Sequence, residues 1–541
     1  MVNGAGGRRH WAYLASLVLV YAVYASLIHD RGINLFGEGE LLGGALGILQ
    51  GKVLYRDIVT VYAPGQYYLL ALLFDVFGEN LLVAHWMLLA VRFTGAVLLF
   101  FLCRRLMPDL FASLACLLYM FVSGPWFKVF FSFFNIPAVL CMMRYSDGRD
   151  NRWLMAAGLF SGLGVIFRQD TGLFMMVLGM AAVLVSEWRI VPRDCRRALR
   201  SAASFVLPAL AVVLPAVGYF YSQGALGEMF YWCFRWAVSV EYAFGLPFPN
   251  ILDLPDLAGG WEALRAYLAT KLFYYLPVFV ILAATAVFVA RLARGKGRRE
   301  DGYLAIVLIW GYMLTYKDLM VPLYVHTIQA ALPLYVLLCY LLSLVYMRSR
   351  ERFSGGKAGR AVPLLLMAST VAIPVVMACL HLLYADNVPY DYMKRRPGQA
   401  LLELDRAPVY SSKAVVDAVR QVAGYVTDNT TSDDYIFADT VPGFYFLTDR
   451  KNASRYGVIQ PMIFSRDPGE EKDLVDTLRE KAVYLVHFDF TIKRRRTWNF
   501  PDYAPLLDRF MREECVLVKQ AGPYKVYRNP RLRPGASPAA P

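Results

Sequence analysis

Long, uninterrupted apolar runs constrain this chain more than any other feature of its sequence. The runs are roughly 15–25 residues long, the length at which a helix crosses about 30 Å of hydrocarbon. Backbone polar groups inside lipid must be satisfied within the protein, so only helices and closed barrels span a bilayer, and continuous runs favour helices. Hydrophobic residues make up 57% of the 541 residues, and charged residues only 18%. The sequence therefore predicts a polytopic α-helical membrane protein with the lipid bilayer as a partner.

We predict about eleven transmembrane helices. They cover approximately residues 11–28, 81–103, 109–123, 129–143, 153–167, 171–187, 201–221, 272–291, 303–316, 322–346 and 361–383. The first run follows Arg8 and Arg9 and lacks a clear cleavage site, so we interpret it as a retained signal anchor. The segment 66–78 is apolar but short and carries Asp75, which favours a helix lying in the membrane interface.

The distribution of basic residues sets the expected orientation. The net charge of +14 is spread over short clusters between apolar runs, which fits the positive-inside rule and argues against nucleic acid as a partner. These clusters fall on one side only if 66–78 does not cross the membrane. The pattern predicts that the N-terminus lies on the inner side of the membrane and that everything after residue 383 lies outside.

Composition changes again after the last apolar run. Residues 1–384 form the predicted transmembrane domain, with a first outer loop at 29–79 that contains interfacial helices. Residues 385–530 combine helical patterns at 411–427 and 470–481 with β-rich runs at 435–438, 483–486, 515–518 and 524–527. This predicts a small C-terminal α/β extracytoplasmic domain, followed by a disordered tail at 531–541.

The first outer loop holds the first set of candidate site residues. Glu38 and Glu40 flank Gly39, so on a strand or extended turn they point the same way. A carboxylate held there could act as a general base toward an acceptor hydroxyl. Asp57 is a further candidate base, and Arg56 beside it could bind phosphate. Solvated loop charges are the alternative for each of them.

The second set lies where apolar runs meet at the predicted outer face. Arg168 could bind a phosphate, with Asp170 near the substrate, although a plain turn in which the two pair with each other is the alternative. Lys317 is a second candidate phosphate ligand. His326 and Gln329 lie about one turn apart and could contact substrate, although a lone helix histidine is more often a packing residue.

The sequence gives weak signals for metal binding. The eight cysteines are scattered and form no CxxC pair, so neither a zinc site nor a disulfide framework is indicated. Glu38, Glu40 and His326 could in principle coordinate a divalent cation, but their spacing predicts no particular metal site. The cofactor therefore stays open, with a divalent cation as one option.

Several motifs resemble those of a known enzyme group. Glu38-Gly39, then Gly51-Lys-Val-Leu-Tyr-Arg-Asp57 and Tyr62-Ala-Pro-Gly-Gln66, resemble the first outer loop of bacterial GT-C superfamily membrane glycosyltransferases. These are relatives of the protein O-mannosyltransferases and the lipid A aminoarabinose transferases. The runs 167–172 and 444–456 resemble the later membrane edge and the outer domain of the same group.

The resemblance implies a GT-C-like fold and an inverting transfer on the extracytoplasmic side. The donor would be a polyprenyl-phosphate sugar, and the acceptor a saccharide, lipid or protein of the cell envelope. The family usually carries an Asp-Glu-Gly run where this chain has Gly37-Glu38-Gly39, so the expected first acid is missing. Glu38 is favoured as the replacement base, with Glu40 and Asp57 as alternatives.

Two other functional classes stay open. A transporter or flippase of lipid-linked saccharides would need similar basic and aromatic surfaces without a base, and polar residues near the bilayer centre. Few charges lie inside the apolar runs, and Arg92 is the clearest. A catalytically inactive GT-C-like subunit is the other class, because Gly37 replaces the usual acid.

Overall fold

The computed structural model describes most of the chain. The described ranges are 5–121, 126–187, 195–236, 260–295, 299–320, 324–352 and 399–534, with gaps at 468, 489–490 and 494–496 and with single residues between 238 and 252. The predicted span 361–383 and most of the predicted tail 531–541 lie outside these ranges.

The regular structure of the N-terminal part is helical in its described ranges, with turns and loops between the helices. Its helices are α1 (Ala5–Ile28), α2 (Gly37–Leu49), α3 (Gly65–Phe77), α4 (Leu81–Cys103), α5 (Asp109–Met120), α6 (Phe130–Phe133), α7 (Asn135–Gly148), α8 (Asn151–Phe167), α9 (Gln169–Glu187), α10 (Cys195–Ser222), α11 (Leu226–Phe230), α12 (Gly260–Ala293), α13 (Arg299–Met320) and α14 (Tyr324–Arg352). A 3₁₀ turn at Trp126–Val129 precedes α6, and a π-helical turn at Tyr231–Trp236 follows α11.

Five helical segments in the described part are long and apolar enough to cross a membrane. They are His10–Ile28, Leu81–Cys103, Cys195–Ser222, Tyr274–Ala293 and Leu332–Glu351. Each overlaps a predicted span, although Leu332–Glu351 begins ten residues after the start of the predicted 322–346. Others of the eleven predicted spans correspond to shorter apolar helices, such as Asp109–Met120 and Gln169–Leu184. The sequence therefore identifies a multi-pass chain. Within the described residues, these five segments are both long enough and apolar enough to cross a membrane.

Helix α3 has the properties of the predicted interfacial helix. Its 13 residues extend about 20 Å at 1.5 Å per residue, less than the thickness of the hydrocarbon core. Tyr67, Leu70 and Phe74 are buried on one side, whereas Val76 and Phe77 are exposed. Phe74 stacks on Phe446 with ring centroids 5.6 Å apart. The helix therefore packs against the protein through one face only.

The C-terminal region, residues 399–534, contains the strands of the described structure. Its elements are β1 (Gln399–Leu404), β2 (Ala407–Ser412), α15 (Lys413–Asp428), β3 (Tyr435–Ala438), α16 (Gly443–Thr448), β4 (Lys451–Asn452), α17 (Gly469–Lys481), β5 (Ala482–Phe488), β6 (Ile492–Lys493), β7 (Thr497–Trp498), α18 (Phe500–Tyr503), α19 (Pro505–Arg509), β8 (Val516–Ala521) and β9 (Tyr524–Arg528). The main sheet has the order β4-β3-β5-β9-β8. Strands β4, β3 and β5 pair in parallel, and β9 pairs antiparallel with β5 on one side and with β8 on the other.

Backbone hydrogen bonds join the first outer loop to the C-terminal region. The Gly32 amide donates to the Tyr410 carbonyl at 2.7 Å, and the Val59 amide donates to the Arg455 carbonyl at 2.8 Å. The Leu81 amide, at the start of α4, donates to the Arg406 carbonyl at 2.7 Å. The loop and the C-terminal region therefore lie at the same end of the helices.

A cluster of ion pairs occupies the opposite end of α4. Arg105 follows that helix and contacts Asp147 at 2.6 Å, and Arg299 contacts the same carboxylate at 2.6 Å. Arg291 pairs with Asp301 at 3.1 Å. Because α4 has 23 residues, this cluster is separated from the first loop by the length of one full span.

Candidate active site

The two acidic residues of the first loop lie on a helix, so the predicted strand or extended turn is wrong. The Asn34 side chain accepts hydrogen bonds from the Phe36 and Gly37 amides at 3.0 Å each, and α2 begins at Gly37. On a helix, residues two positions apart point in different directions. Glu38 and Glu40 therefore contact different partners, although both lie in the first turn, where the helix dipole favours negative charge.

Glu38 is buried against a histidine of the transmembrane bundle. Its carboxylate lies 3.0 Å from His85 Nε2, and both side chains are almost completely buried. His85 Nδ1 lies 2.7 Å from the His29 carbonyl oxygen. The other Glu38 oxygen accepts from the Asn34 amide at 3.3 Å. This arrangement ties α2 to α4 and to the end of α1, and it encloses the carboxylate within the protein.

Glu40 is only half-buried and contacts hydroxyl groups. Its Oε1 accepts from Thr60 Oγ1 at 2.7 Å and from the Tyr67 hydroxyl at 3.3 Å. Burial raises the pKa of Glu40 to about 6, although these hydrogen bonds and the charge of Lys128 act in the opposite direction. A carboxylate with a pKa near 6 is ionised at neutral pH and is still basic enough to accept a proton.

Glycines let three segments approach each other closely around Glu40. A Cβ atom on Gly39 would lie 2.4 Å from the Gly443 backbone nitrogen, so α2 and α16 touch through their backbones. A Cβ on Gly65 would lie 2.9 Å from the Ile166 carbonyl oxygen. The glycines of the Glu38-Gly39 and Tyr-Ala-Pro-Gly motifs therefore serve packing: they join the first loop to the C-terminal region and to α8.

The Tyr-Arg-Asp motif forms a tight turn whose hydrogen bonds do not involve Glu40. Tyr55 has a left-handed backbone with φ 69°, and its hydroxyl donates to the Tyr62 carbonyl at 2.9 Å. Asp57 accepts from the Val53 amide at 2.8 Å and from two nitrogens of Arg56 at 2.8 and 2.9 Å. The Arg56 hydrogen bonds lower the pKa of Asp57, which disfavours it as a base. Arg56 is exposed and also donates to the Gln223 carbonyl.

The membrane-edge motif combines an ion pair with a structural amide. Arg168 contacts both oxygens of Asp170, at 2.7 and 3.0 Å, so the pair considered as the alternative does form. The Arg168 guanidinium lies 3.7 Å from the Phe131 ring centroid and 5.2 Å from that of Tyr62. The Gln169 amide accepts from the Ala63 amide and donates to the Val61 and Cys233 carbonyls, which holds the Tyr-Ala-Pro-Gly segment against α9.

Lys128 is a cation that the sequence reasoning did not identify. Its Nζ lies 5.6 Å from the Phe131 ring centroid, the same ring on which Arg168 packs. Burial and the nearby Arg168 charge lower the pKa of Lys128 to about 7, while Glu40 acts in the opposite direction. The sequence feature that could have identified Lys128 is its position as an isolated lysine between two apolar runs. Lys128 thus lies within electrostatic reach of both the Glu40 carboxylate and the Arg168 guanidinium.

A small cavity separates the first loop from the C-terminal region, and Glu40 lies on its wall. Its other polar lining residues are Gln50, Lys52, Asp57, Arg450, Asn452 and Ser454. Arg450 donates to the Thr427 and Thr430 carbonyls, which fixes its guanidinium at the end of α15. The cavity brings Glu40 and Asp57 onto one surface, whereas Glu38 is absent from its lining.

Glu228 connects the loop after α10 to the C-terminal region. Its two oxygens contact Arg455 at 2.7 Å and Arg466 at 2.6 Å, and it accepts from the Trp232 indole at 3.1 Å. Arg455 also donates to the Tyr55 carbonyl at 2.7 Å. Although burial would raise it, hydrogen bonds from both arginines hold the pKa of Glu228 below its usual value. Sequence reasoning missed this residue because its partners lie more than 200 positions away.

The side chains of three predicted site residues have no described position relative to Glu40 and Arg168. Lys317 lies in α13, and His326 and Gln329 lie in α14, but their side chains fall outside the described part of the structure. Within the described residues, no group of three or more His, Cys, Asp or Glu side chains is arranged to hold a metal ion. Glu38 and Glu40 have separate partners, so the pair does not form a metal-ligand set.

Comparisons with known proteins agree with this architecture. The family model described as dolichyl-phosphate-mannose-protein mannosyltransferase matches residues 62–219, less than a third of the chain. A comparison with curated protein sequences finds no match.

Solved structures share the fold at low sequence identity. ArnT from Cupriavidus metallidurans is 12% identical in the apo state, with a TM-score of 0.54 over 99% of this chain and 100% of that one. The same protein bound to undecaprenyl phosphate gives 0.52 at 12% identity over 100% of both chains. The archaeal oligosaccharyltransferase AglB from Archaeoglobus fulgidus, in complex with an inhibitory peptide and a dolichol-phosphate, gives 0.51 at 12% identity over 90% of this chain and 70% of that one. The family-model match over residues 62–219 and the shared fold agree with the resemblance seen in the motifs, and the chain has the fold of these solved membrane-protein structures.

Proposed function

We propose that this chain transfers a sugar from a polyprenyl-phosphate donor to an acceptor hydroxyl, with Glu40 as the general base. One observation carries the proposal: the half-buried Glu40 carboxylate lies within electrostatic reach of Lys128, which packs on the same ring as Arg168, and it also lines a cavity. The cations suit the donor phosphate, and the cavity, of about 40 Å³, leaves room for an acceptor hydroxyl beside the carboxylate. The bound undecaprenyl phosphate of ArnT and dolichol-phosphate of AglB support a lipid-linked donor.

In the proposed reaction the acceptor oxygen attacks the anomeric carbon of the sugar from the face opposite the phosphate. A new carbon–oxygen bond forms as the bond to the phosphate oxygen breaks, and the electron pair leaves with the phosphate. The acceptor proton moves to Glu40. Because the negative charge grows on the leaving phosphate, fixed cations stabilise the transition state more than the ground state. The configuration at the anomeric carbon inverts.

Lys128 and Arg168 are the proposed phosphate ligands. Arg168 is held against Phe131 and Tyr62 by its ion pair with Asp170, so its position is fixed before the donor binds. Asp170 is thereby a positioning residue. We retain the predicted donor or substrate contacts for Lys317, His326 and Gln329. Arg56 is an exposed cation of the first loop and stays a further candidate phosphate ligand. No step of the proposed reaction uses a metal ion.

We assign the reaction to the predicted transmembrane domain, residues 1–384, and to the extracytoplasmic side of a bacterial inner membrane. The basic cluster around Arg105 and Arg299 lies at the end of α4 opposite the C-terminal region, as the positive-inside rule requires for a cytoplasmic N-terminus. The C-terminal domain, 385–530, would then cover the site from outside. A cysteine at an exposed C-terminal position such as Asp473, tested with an impermeant thiol reagent, reports the side directly.

The transfer assay uses purified protein in liposomes that contain a polyprenyl-phosphate sugar with a labelled sugar. Candidate acceptors are added on the side of the C-terminal region. We expect the label to leave the lipid and appear in the acceptor with inverted configuration. Movement of intact labelled lipid between leaflets would instead indicate a flippase. Saturable donor binding without turnover for every acceptor would indicate the inactive subunit that Gly37 suggests.

A further inference from the structure

A second polar cleft lies in the C-terminal region, at the carboxyl ends of two neighbouring parallel strands. Asp439 directly follows β3, and His487 is the penultimate residue of β5, which pairs with β3. In open α/β sheets, ligands bind outside the carboxyl ends of the strands. The cleft has a volume of about 420 Å³ and is lined by His487, Asn499, Phe500, Asp508, Met511, Arg512, Lys525 and Tyr527.

A buried carboxylate fixes the histidine in this cleft. Asp439 Oδ2 contacts His487 Nδ1, and its Oδ1 accepts from Thr440 Oγ1 at 2.8 Å and from the Phe488 amide at 3.3 Å. Asp439 is 1% exposed and His487 is 6% exposed. The imidazole also packs edge-on against Phe500, with ring centroids 4.7 Å apart. The ring is therefore held in one orientation at the base of the cleft.

Two basic side chains extend this surface. Lys525 is the direct antiparallel partner of His487 in the β5–β9 pair, so both residues project to the same face of the sheet. Arg512 also lines the cleft and pairs with Asp508 at 2.9 Å. Among the described residues, the lining therefore contains two cations, an imidazole and one carboxylate, Asp508, which is paired to Arg512, while a second carboxylate, Asp439, contacts His487.

We propose that this cleft binds a small phosphate ester, such as a phosphorylated sugar. Lys, Arg and His are the side chains that donate charge-assisted hydrogen bonds to phosphate oxygens. The volume exceeds that of a bare ion and falls within the range of small-molecule pockets. None of these side chains lines the cavity at Glu40. The proposal does not depend on glycosyl transfer.

Isothermal titration of the full-length protein in nanodiscs with glucose 1-phosphate tests the proposal, with glucose and glucuronate as comparison ligands. We expect saturable binding of glucose 1-phosphate, weaker binding of glucuronate and none of glucose. Lys525→Gln and Arg512→Gln should each weaken binding about tenfold or more, since each removes a charge-assisted contact. Arg512 is exposed and Lys525 is partly exposed, so we expect these variants to keep the fold, whereas the buried His487 is left unchanged.

Two control variants separate this cleft from other basic sites. Lys472→Gln removes an exposed lysine that pairs with Asp476 and does not line the cleft, so it should leave binding unchanged. Arg168→Gln should also leave binding unchanged, because Arg168 belongs to the site at Glu40. No saturable binding, binding that survives both Lys525→Gln and Arg512→Gln, loss of binding in Arg168→Gln, or a preference for glucuronate would each overturn the proposal.

Discussion

At the scale of single residues, the most informative pair is Glu38 and Glu40. The helical geometry of α2 directs Glu38 into the bundle toward His85 and leaves Glu40 beside Thr60, Tyr67 and the cavity. The Glu38 carboxylate is therefore enclosed within the protein, and the Glu40 carboxylate faces the cavity, which is why we propose Glu40 as the base.

The pKa of Glu40 predicts a pH dependence of transfer. A base must be ionised, so kcat/KM should fall as pH decreases through about 6. The free enzyme should also lose donor affinity as pH rises through about 7, because Lys128 then loses its charge. A bell-shaped profile of kcat/KM checks both limbs. Glu40→Gln should remove the acidic limb from whatever activity remains, whereas an unchanged acidic limb would contradict the assignment.

The same pKa predicts the effect of Glu40→Gln on stability. The folded-state pKa lies above the unfolded value, so the protonated form favours folding and the ionised form disfavours it. This unfavourable contribution appears as pH rises through the interval between about 4.5 and 6. At pH 7.5 the variant should unfold at the same temperature as the wild type or a higher one. A lower unfolding temperature by differential scanning fluorimetry would indicate a structural role for Glu40.

Unlike Glu40, the buried Glu38–His85 pair is expected to stabilise the fold, so its removal should lower the unfolding temperature. Removing one partner of a buried charge pair leaves the other without compensation and costs about 3–5 kcal/mol. We therefore expect His85→Ala to lower the unfolding temperature clearly. Lys472→Ala, which breaks an exposed pair with Asp476, is the matched control and should change stability by less than about 1 kcal/mol. Equal effects of the two variants would contradict the assigned role of His85.

At the scale of elements, the contact between α2 and α16 sets the shape of the site. Gly39→Ala would place a methyl group 2.4 Å from the Gly443 nitrogen, so the two helices must separate. We expect this variant to lose stability and transfer together. Gly218→Ala in α10 meets no atom within 4 Å and should be neutral or slightly stabilising, because alanine favours a helix interior. Unaltered transfer by Gly39→Ala would show that the close contact is dispensable.

The elements also show what the sequence could and could not predict. Hydropathy identified the five long spans because burial in lipid imposes one constraint on every residue of a segment. Alternating and helical patterns likewise located β3, β5, β8, β9, α15 and α17, with ends shifted by a few residues. The β1–β2 hairpin and α16 were missed, since the apolar residues of Gly443–Thr448 are buried on all sides and show no period.

The candidate site was harder to predict than the fold. Motifs located Glu40 and Arg168, but their relation depends on contacts between distant segments. The direction of Glu38 depended on whether α2 begins at Gly37 or later, which Asn34 decides through its side-chain hydrogen bonds. Lys128 and Glu228 carry no motif of their own. Their roles emerge only from neighbours in space.

At the scale of the whole molecule, Glu228 couples the membrane part to the C-terminal region. It bridges α11 to Arg455 and Arg466, and Arg455 reaches the Tyr55 turn. We expect Glu228→Gln to increase hydrogen exchange along residues 455–466 and in the turn at 53–57, without a matching change in α4. Unchanged exchange in both segments would show that the backbone hydrogen bonds between the first loop and the C-terminal region suffice without Glu228.

The central claim is that Glu40 removes the acceptor proton. The most direct measurement compares transfer rates of Glu40→Gln and Glu38→Gln under saturating donor, each normalised to folded protein. We predict that Glu40→Gln loses about 10²–10⁴-fold in rate with its thermal stability kept, as expected for loss of a general base. Glu38→Gln should have a lower thermal stability than the wild type but should retain most of the transfer rate per folded molecule. A wild-type rate for Glu40→Gln, or an equal loss in a stable Glu38→Gln variant, would contradict the account.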